Sequence, residues 1–456
     1  MSEFEPAAPI APQPQALRQR AIKAGAWTLG GFGTSQLVRL ASNLIMTRLL
    51  LPEAFGLMAI AMTVHVGLTM LTDIGINASV IRSQNGEDPR FLKTAWTLQI
   101  LRGLLIWALT GVLALGLYLA VPYFGISSEN VYGDPRLPMI IVVTSVAIFI
   151  RGFQSLNLAL ANRDLTISRV VLLEILAQIV AIPIMFAIAF VHPTVWALVA
   201  GMLVGALTKT IGSHLFIPGA KMGLGWDRDS VREIIDYGKW LIGASLFGYF
   251  ANQGDRILFG ALLGKEEFGV YVIAMLWISA AMQALQSVIG RLGLPAMSEI
   301  IRSGAANIAR GYYRFRLVLD GMAAAAFLGL VVVGPLAIKF LYRPEYHPAG
   351  LIVQMLSISL LFLPFRALGS VVLAFGDSRR FSLVTLVQAV TMFTLVPLAY
   401  SVFGFFGGVV AVAINKIWGL PVLFFAARKR LVLSFRAELL FLVVGLVVYV
   451  VVLMFG

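Results

Sequence analysis

The chain has 456 residues, of which 59% are apolar and only 12% charged, with a mean hydropathy of +0.89. So little polar surface cannot cover a water-soluble globule of this length, and the chain is an integral membrane protein. The absence of cysteine excludes disulfide frameworks, thiolate metal sites and a cysteine nucleophile, and a net charge of +13 spread over short loops reads as membrane orientation rather than a nucleic-acid footprint.

Residues 1–20 begin with a Pro- and Ala-rich run containing Glu3 and Glu5, which is expected to be a disordered cytoplasmic tail and not a signal peptide. About 20 apolar residues are needed to cross a bilayer as a helix. Thirteen stretches satisfy this: 24–50, 54–74, 92–120, 137–161, 166–190, 194–216, 237–263, 267–290, 313–338, 349–374, 382–402, 405–427 and 437–455. The basic residues test the assignment. With the tail inside, cytoplasmic segments hold 23 of the 35 Lys and Arg residues and outside segments hold five. That asymmetry predicts a cytoplasmic amino terminus.

Two stretches are alike. Residues 24–62 superpose on 237–275 at a constant offset of 213, with identities at Gly25/Gly238, Trp27/Trp240, Glu53/Glu266, Phe55/Phe268, Gly56/Gly269 and Ile60/Ile273. A fixed period with rare residues in register predicts an internal repeat. Both copies start inside, so the repeat is parallel, about an axis along the membrane normal. The expected domains are a six-helix bundle over 21–216, a connector over 217–236, a second six-helix bundle over 237–427, and a basic loop with an extra helix over 428–456. The connection 291–312 is expected to lie on anionic lipid.

Enzyme signatures are lacking. The four histidines show no ligand spacing, and Gly30, Gly31 and Gly33 lie inside a helix with no preceding strand. Glu53 and Glu266 sit in first helical turns, where a carboxylate complements the dipole. The remaining chemistry is charge inside the membrane, which normally faces a wet cavity or a partner. Arg39, Arg102, Arg151, Arg256, Arg366, Lys416 and Lys209 fall within apolar spans, Lys209 near enough to an end to snorkel. Four acids, Asp73, Glu174, Asp255 and Asp320, share those spans or their edges. Four acids cannot neutralise seven bases, and a cationic cavity suits a polyanionic substrate.

Several motifs then resemble a known family. They are the Gly-x-Trp of the first helix, Arg48-Leu49-Leu50, Glu53-x-Phe55-Gly56, Asp73-Ile74-Gly75-Ile76, Ala161-Asn162-Arg163-Asp164-Leu165, and in the second half Phe268-Gly269 and Leu294-Pro295. Over residues 20–427 the chain resembles the polysaccharide transporter (Wzx-like) flippases of the multidrug/oligosaccharidyl-lipid/polysaccharide exporter superfamily. The resemblance implies an all-α fold of about 13 transmembrane helices, with two six-helix bundles around a central cavity. It implies an alternating-access flippase that moves undecaprenyl-pyrophosphate-linked oligosaccharide to the outer leaflet of a bacterial inner membrane.

On that reading Arg39, Arg102, Arg151, Arg256, Arg366 and Lys416 are the candidates for pyrophosphate or acidic glycan. Gln36, Asn43, Gln99, Gln154, Asn157, Asn252 and Gln388 are candidates for sugar hydroxyls, and Trp27, Trp96 and Trp240 for packing. Asp73, Glu174, Asp255 and Asp320 are the candidates for coupling to an H+ or Na+ gradient, with no cofactor and no nucleic acid expected. Partners would be the lipid-linked oligosaccharide, membrane lipids, and polysaccharide polymerase and export proteins. The alternatives are a multidrug exporter of the same superfamily, which would need net acidic groups in its cavity, and a membrane glycan polymerase or ligase, which would need a larger outside loop.

Overall fold

The computed structural model describes residues 14–428, apart from 165, 294–296, 300–304 and 376, together with Phe441, Gly445, Val447 and Tyr449. The motif residues Leu294-Pro295 and the tail residues 1–13 lie outside them, as does the side chain of Trp240. Among the described residues the regular structure is helical, apart from one isolated bridge between Asn130 and Gly264.

The first half holds α1 (Pro14–Leu49), α2 (Pro52–Leu71), short α3 (Ile76–Arg82), α4 (Pro89–Phe124), α5 (Leu137–Gly152), short α6 (Asn157–Arg163), α7 (Ser168–Val191) and α8 (Trp196–Leu215). The second holds α9 (Arg228–Leu262), α10 (Lys265–Val288), α11 (Ala305–Leu341), α12 (Ala349–Ser357), a 3-10 stretch (Ile358–Phe365), α13 (Arg366–Ala374), α14 (Ser378–Ile414), a 3-10 stretch (Asn415–Gly419) and α15 (Leu420–Ala427).

Local chemistry explains where these helices start and stop. The Asp88, Asp227 and Asp377 side chains accept hydrogen bonds from the first-turn amides of Arg90, Ser230 and Arg380, capping α4, α9 and α14. Pro52 and Pro89 stand where no helical amide bond is needed. Gly125, at φ 62°, ends α4. The central turns are apolar, and α4 turns Val112 (67% exposed) and Leu119 outward. In water such a face would be untenable, and here it is lipid-facing.

Five details depart from the expected spans. Helix α1 begins at Pro14, inside the segment expected as tail, and α9 begins at Arg228, inside the expected connector. The span at 137–161 is two helices, α5 and α6, bent by 64°. The segment 305–312, expected to lie on the membrane surface, is the start of α11. The spans at 382–402 and 405–427 are joined through α14, which turns at Gly404 (φ 69°). The extra helix at 437–455 lies outside the described residues except for a few positions. Of these, Gly445 rests against Leu361 and Tyr449 against Phe327, 6.2 Å between ring centroids.

The breaks leave backbone groups without helical partners, and buried groups of that kind must be satisfied. At 153–156 the carbonyls of Gly152 and Gln154 accept from Gln99 Nε2 (2.9 Å each), and that of Gln154 also from Trp96 Nε1 (3.2 Å). The Phe153 carbonyl pairs with His214 Nε2 (2.8 Å), and the Ser155 amide donates to Ser213 Oγ (2.9 Å). Gln99 and Trp96 are therefore spent on the backbone.

The main core binds the two halves together. It runs from Leu57 and Ile60 of α2 through Phe268, Tyr271 and Ile273 of α10 to Leu356 and Leu361. A smaller core packs Ile234 of α9 against Ile76, Val80 and Phe91 of the first half.

Candidate functional site

Three adjoining cavities run into the second half from the end of the bundle that carries Arg379 and Arg380. The mouth is lined by Phe247, Asp377, Arg379, Arg380 and Ser382. It shares Phe247 and Ser382 with a cavity of about 240 Å3 lined by Gly248, Asn252, Arg366, Gln388 and Lys416. That cavity shares Asn252 and Lys416 with a deeper one of about 90 Å3, which ends on Asp255, Met275, Ser359 and Asn415. α9, α13, α14 and the 3-10 stretch 415–419 build this path.

The sequence places the charges by breaking helices. Arg366 follows directly on the eight-residue 3-10 stretch ending at Phe365, and Lys416 is the second residue of the stretch 415–419. Such stretches mid-span are unusual in length and mark functional positions. Lys416 Nζ donates to Asn252 Oδ1 (3.2 Å). Gln388 and Asn415 brace it: Gln388 Nε2 donates to the Lys416 carbonyl (3.4 Å), Asn415 Nδ2 to the Gln388 carbonyl (3.1 Å), and Thr391 Oγ1 to Asn415 Oδ1 (2.8 Å). Asp255 is 3% exposed and accepts the hydroxyl proton of Tyr271 at 2.7 Å. Its neighbour Arg256 donates to Gln253 Oε1 (2.7 Å).

The other predicted residues have different surroundings. Arg102 serves the end of α2: it donates to the Thr69 carbonyl (2.6 Å) and Thr72 Oγ1 (3.3 Å) and pairs with Asp73 (3.4 Å). Glu174 pairs with Lys209 (2.7 Å) and Asp320 with Arg316 (2.7 Å). Arg39 and Arg151 are exposed and have no ion pair among the described residues, as is the case for Arg366. Asn43 donates to the Arg39 carbonyl, Asn157 to the Ala220 carbonyl, and the amide of Gln36 is buried.

Sequence reasoning missed Arg316, which is not among the seven bases assigned to the apolar spans. Arg316 is 3% exposed, and its guanidinium lies 3.9 Å from the ring centroid of Phe365, the residue before Arg366. The signal was present as the i,i+4 spacing of Arg316 and Asp320.

It also missed a ring of charges at the opposite end. Asp134 pairs with Arg136 (2.7 Å) and Lys265 (3.4 Å), and Glu53 pairs with the same two bases (3.3 and 3.4 Å). Lys265 belongs to the second half and the other three to the first. The ring is reinforced by Asn130 Nδ2 donating to the Ala261 and Leu263 carbonyls (2.9 and 3.2 Å), by the Lys265 amide donating to the Glu129 carbonyl (2.8 Å), and by the Tyr346 hydroxyl donating to the Leu50 carbonyl (2.8 Å). Burial raises the Asp134 carboxyl pKa, but hydrogen bonds from Arg136 and the charges of Arg136 and Lys265 outweigh it and hold the group below its usual value. Arg136 is raised in turn, mainly by its hydrogen bond to Asp134.

A helical membrane bundle open to a charged cavity at one end and clamped at the other is the architecture of a transporter. Solved structures share this fold: "Lipid II flippase MurJ, inward closed conformation" superposes with a TM-score of 0.70 at 12% identity, over 94% of this chain and 92% of that one. An inward-facing MATE-family multidrug resistance transporter of the MOP superfamily superposes at 0.66 and 11% identity, over 87% and 94%.

A family model described as "Polysaccharide biosynthesis protein" matches residues 45–351, and the chain belongs to that family. Among curated relatives, amylovoran biosynthesis protein AmsL of Erwinia amylovora is 22% identical over 58% of this chain and 66% of its own length. Succinoglycan biosynthesis transport protein ExoT of Rhizobium meliloti is 19% identical over 69% and 61%. A Shigella flexneri protein assigned as an O-antigen transporter is 22% identical over 87% and 95%. The chain spans less than two thirds of the length of the first two.

Proposed function

We propose that this protein is a flippase for lipid-linked oligosaccharide, carrying undecaprenyl-pyrophosphate-linked units from the cytoplasmic to the outer leaflet of a bacterial inner membrane for surface polysaccharide synthesis. The observation that carries the reading is the cavity containing Arg366 and Lys416. A pyrophosphate is doubly anionic, and in a site of reduced dielectric two fixed cations replace the water it leaves behind. The excess of Lys and Arg at the mouth end supports reading that end as cytoplasmic. The relatives named for exopolysaccharide and O-antigen transport support the same class of cargo.

On this reading the ring of Glu53, Asp134, Arg136 and Lys265 is the outer gate, shut while the cavity faces the cytoplasm. Alternating access requires the ring to break as the cytoplasmic side closes. Substrate drives that change only if the two states bind it differently. Coupling to an H+ or Na+ gradient is assigned to Asp255, the acid that faces the deep cavity, since Asp73, Glu174 and Asp320 are ion-paired. A multidrug exporter is disfavoured, because Arg366 and Lys416 repel cationic drugs. Flipped units would pass to polymerase and export proteins in the membrane.

Depletion in the native host tests the proposal. Complete lipid-linked units should accumulate facing the cytoplasm; accumulation of single units facing outward would show that flipping survives and would overturn it.

A further inference from the structure

The first half has a pocket of its own, of about 210 Å3, with a different chemistry. Its polar lining is Asn77 of α3, Gln99 of α4, Gln154 and Ser155 at the break after α5, Asn162 of α6, Glu174 of α7 and Lys209 of α8. Glu174 and Lys209 are paired at 2.7 Å and cancel. What remains is a set of carboxamides and one hydroxyl with no net charge. The Gln154 Nε2 is buried with no hydrogen-bond partner among the described residues, which leaves a donor in want of an acceptor. Asn77 is exposed within the pocket, and the Asn162 amide nitrogen is held by the Leu158 carbonyl, which leaves its oxygen to accept. Gln99 is committed to the backbone of the break and forms wall rather than contact.

We infer that this pocket is a subsite for one uncharged, hydroxyl-rich sugar ring of the substrate. The inference rests on the flippase reading and divides the cargo between the halves, with the pyrophosphate against Arg366 and Lys416 and a neutral sugar against Asn77, Gln154 and Asn162. Carboxamides suit a polyol because each offers a donor and an acceptor in one plane. The pocket does not suit an acidic sugar, since the Glu174 carboxylate stands in its wall and Lys209 is already engaged. The volume admits a single ring, below the range of pockets that enclose larger ligands.

The test uses the full-length protein in lipid nanodiscs and three probes: bare polyprenyl pyrophosphate, the same lipid carrying one neutral hexose, and the same lipid carrying one hexuronic acid. Wild type should bind the hexose lipid about tenfold more tightly than the bare lipid, as one or two added hydrogen bonds allow, with no such gain for the hexuronic acid. In Asn77→Leu together with Asn162→Leu the hexose gain should fall while bare-lipid binding stays unchanged, and in Glu174→Gln, which removes the carboxylate and frees Lys209, the hexuronic acid lipid should gain. A hexose gain that survives the double Asn variant, or no gain in wild type, overturns the subsite. Arg366→Gln with Lys416→Gln reports on the underlying reading: if it leaves all three lipids bound as before, the pyrophosphate site is wrong, whatever the sugar variants show.

Discussion

Gly56 of α2 and Gly269 of α10, which occupy the same position in the two similar stretches of the sequence, face each other across the join between the halves. A Cβ on Gly269 would fall 1.9 Å from the Pro52 carbonyl oxygen, and one on Gly56 would fall 3.4 Å from the Gly269 nitrogen and 3.1 Å from the Lys265 carbonyl oxygen. The two helices touch backbone to backbone, the close approach that small residues permit in membranes.

Gly269→Ala is expected to cost about 1–3 kcal/mol, because the obstacle is backbone and cannot turn aside. Gly56→Ala should cost less, since its contacts need to give by only a few tenths of an ångström. Thermal unfolding of the two variants in detergent checks the order. Equal midpoints would show that the helices are not held at this spacing.

Lys265→Met should weaken the outer clamp. It leaves Asp134, whose side chain is 1% exposed, with Arg136 as its ionic partner. A fully buried pair would cost 3–5 kcal/mol to break, but Lys265 and Arg136 are 28% and 39% exposed, and solvent screening reduces this to about 1–2 kcal/mol. The expected outcome is a shift of roughly 5- to 30-fold toward the outward-open state. The chain has no cysteine, so spin labels on Ser128→Cys and Glu267→Cys are the only ones present, and their separation should lengthen in the variant.

The same labels test the pH response. The folded-state pKa of Asp134 is depressed, so the clamp's stabilisation is present above the unfolded value of about 4 and is lost as pH falls through the folded one. The label distance should therefore be constant between about pH 5 and 8 and change only in stronger acid. A transition near pH 6 would mean that a different group holds the gate.

Arg102→Leu should lower stability without changing substrate affinity, because its hydrogen bonds go to the end of α2. Exposure of Asp73 discounts the ion pair, leaving about 1–2 kcal/mol. If lipid binding falls while the unfolding midpoint holds, Arg102 belongs to the cavity after all.

Arg102 shows what the sequence could and could not reveal. Length and hydropathy placed the long apolar helices among the described residues because each span needs about 20 apolar residues whatever it packs against. They also flagged Arg366, Lys416 and Asp255, since charge in a span is rare. They could not separate Arg366, which faces a cavity, from Arg102, whose acid lies 29 positions away, just past the end of α2. The break at 153–156 was hidden for the same reason: the carbonyls of Gly152, Phe153 and Gln154 are satisfied by Gln99, Trp96 and His214, which only folding brings near. Glu53 was read as a helix-start carboxylate, and its partners Arg136 and Lys265 come from distant turns. Arg316 escaped because α11 starts before the apolar run does.

The central claim is tested most directly with purified protein in liposomes, by following a fluorescent polyprenyl-pyrophosphate oligosaccharide from one leaflet to the other. The wild-type protein should move it, and Arg366→Gln with Lys416→Gln should slow the movement at least tenfold while the unfolding midpoint stays within a few degrees. Unchanged flipping by the folded double variant would contradict the account.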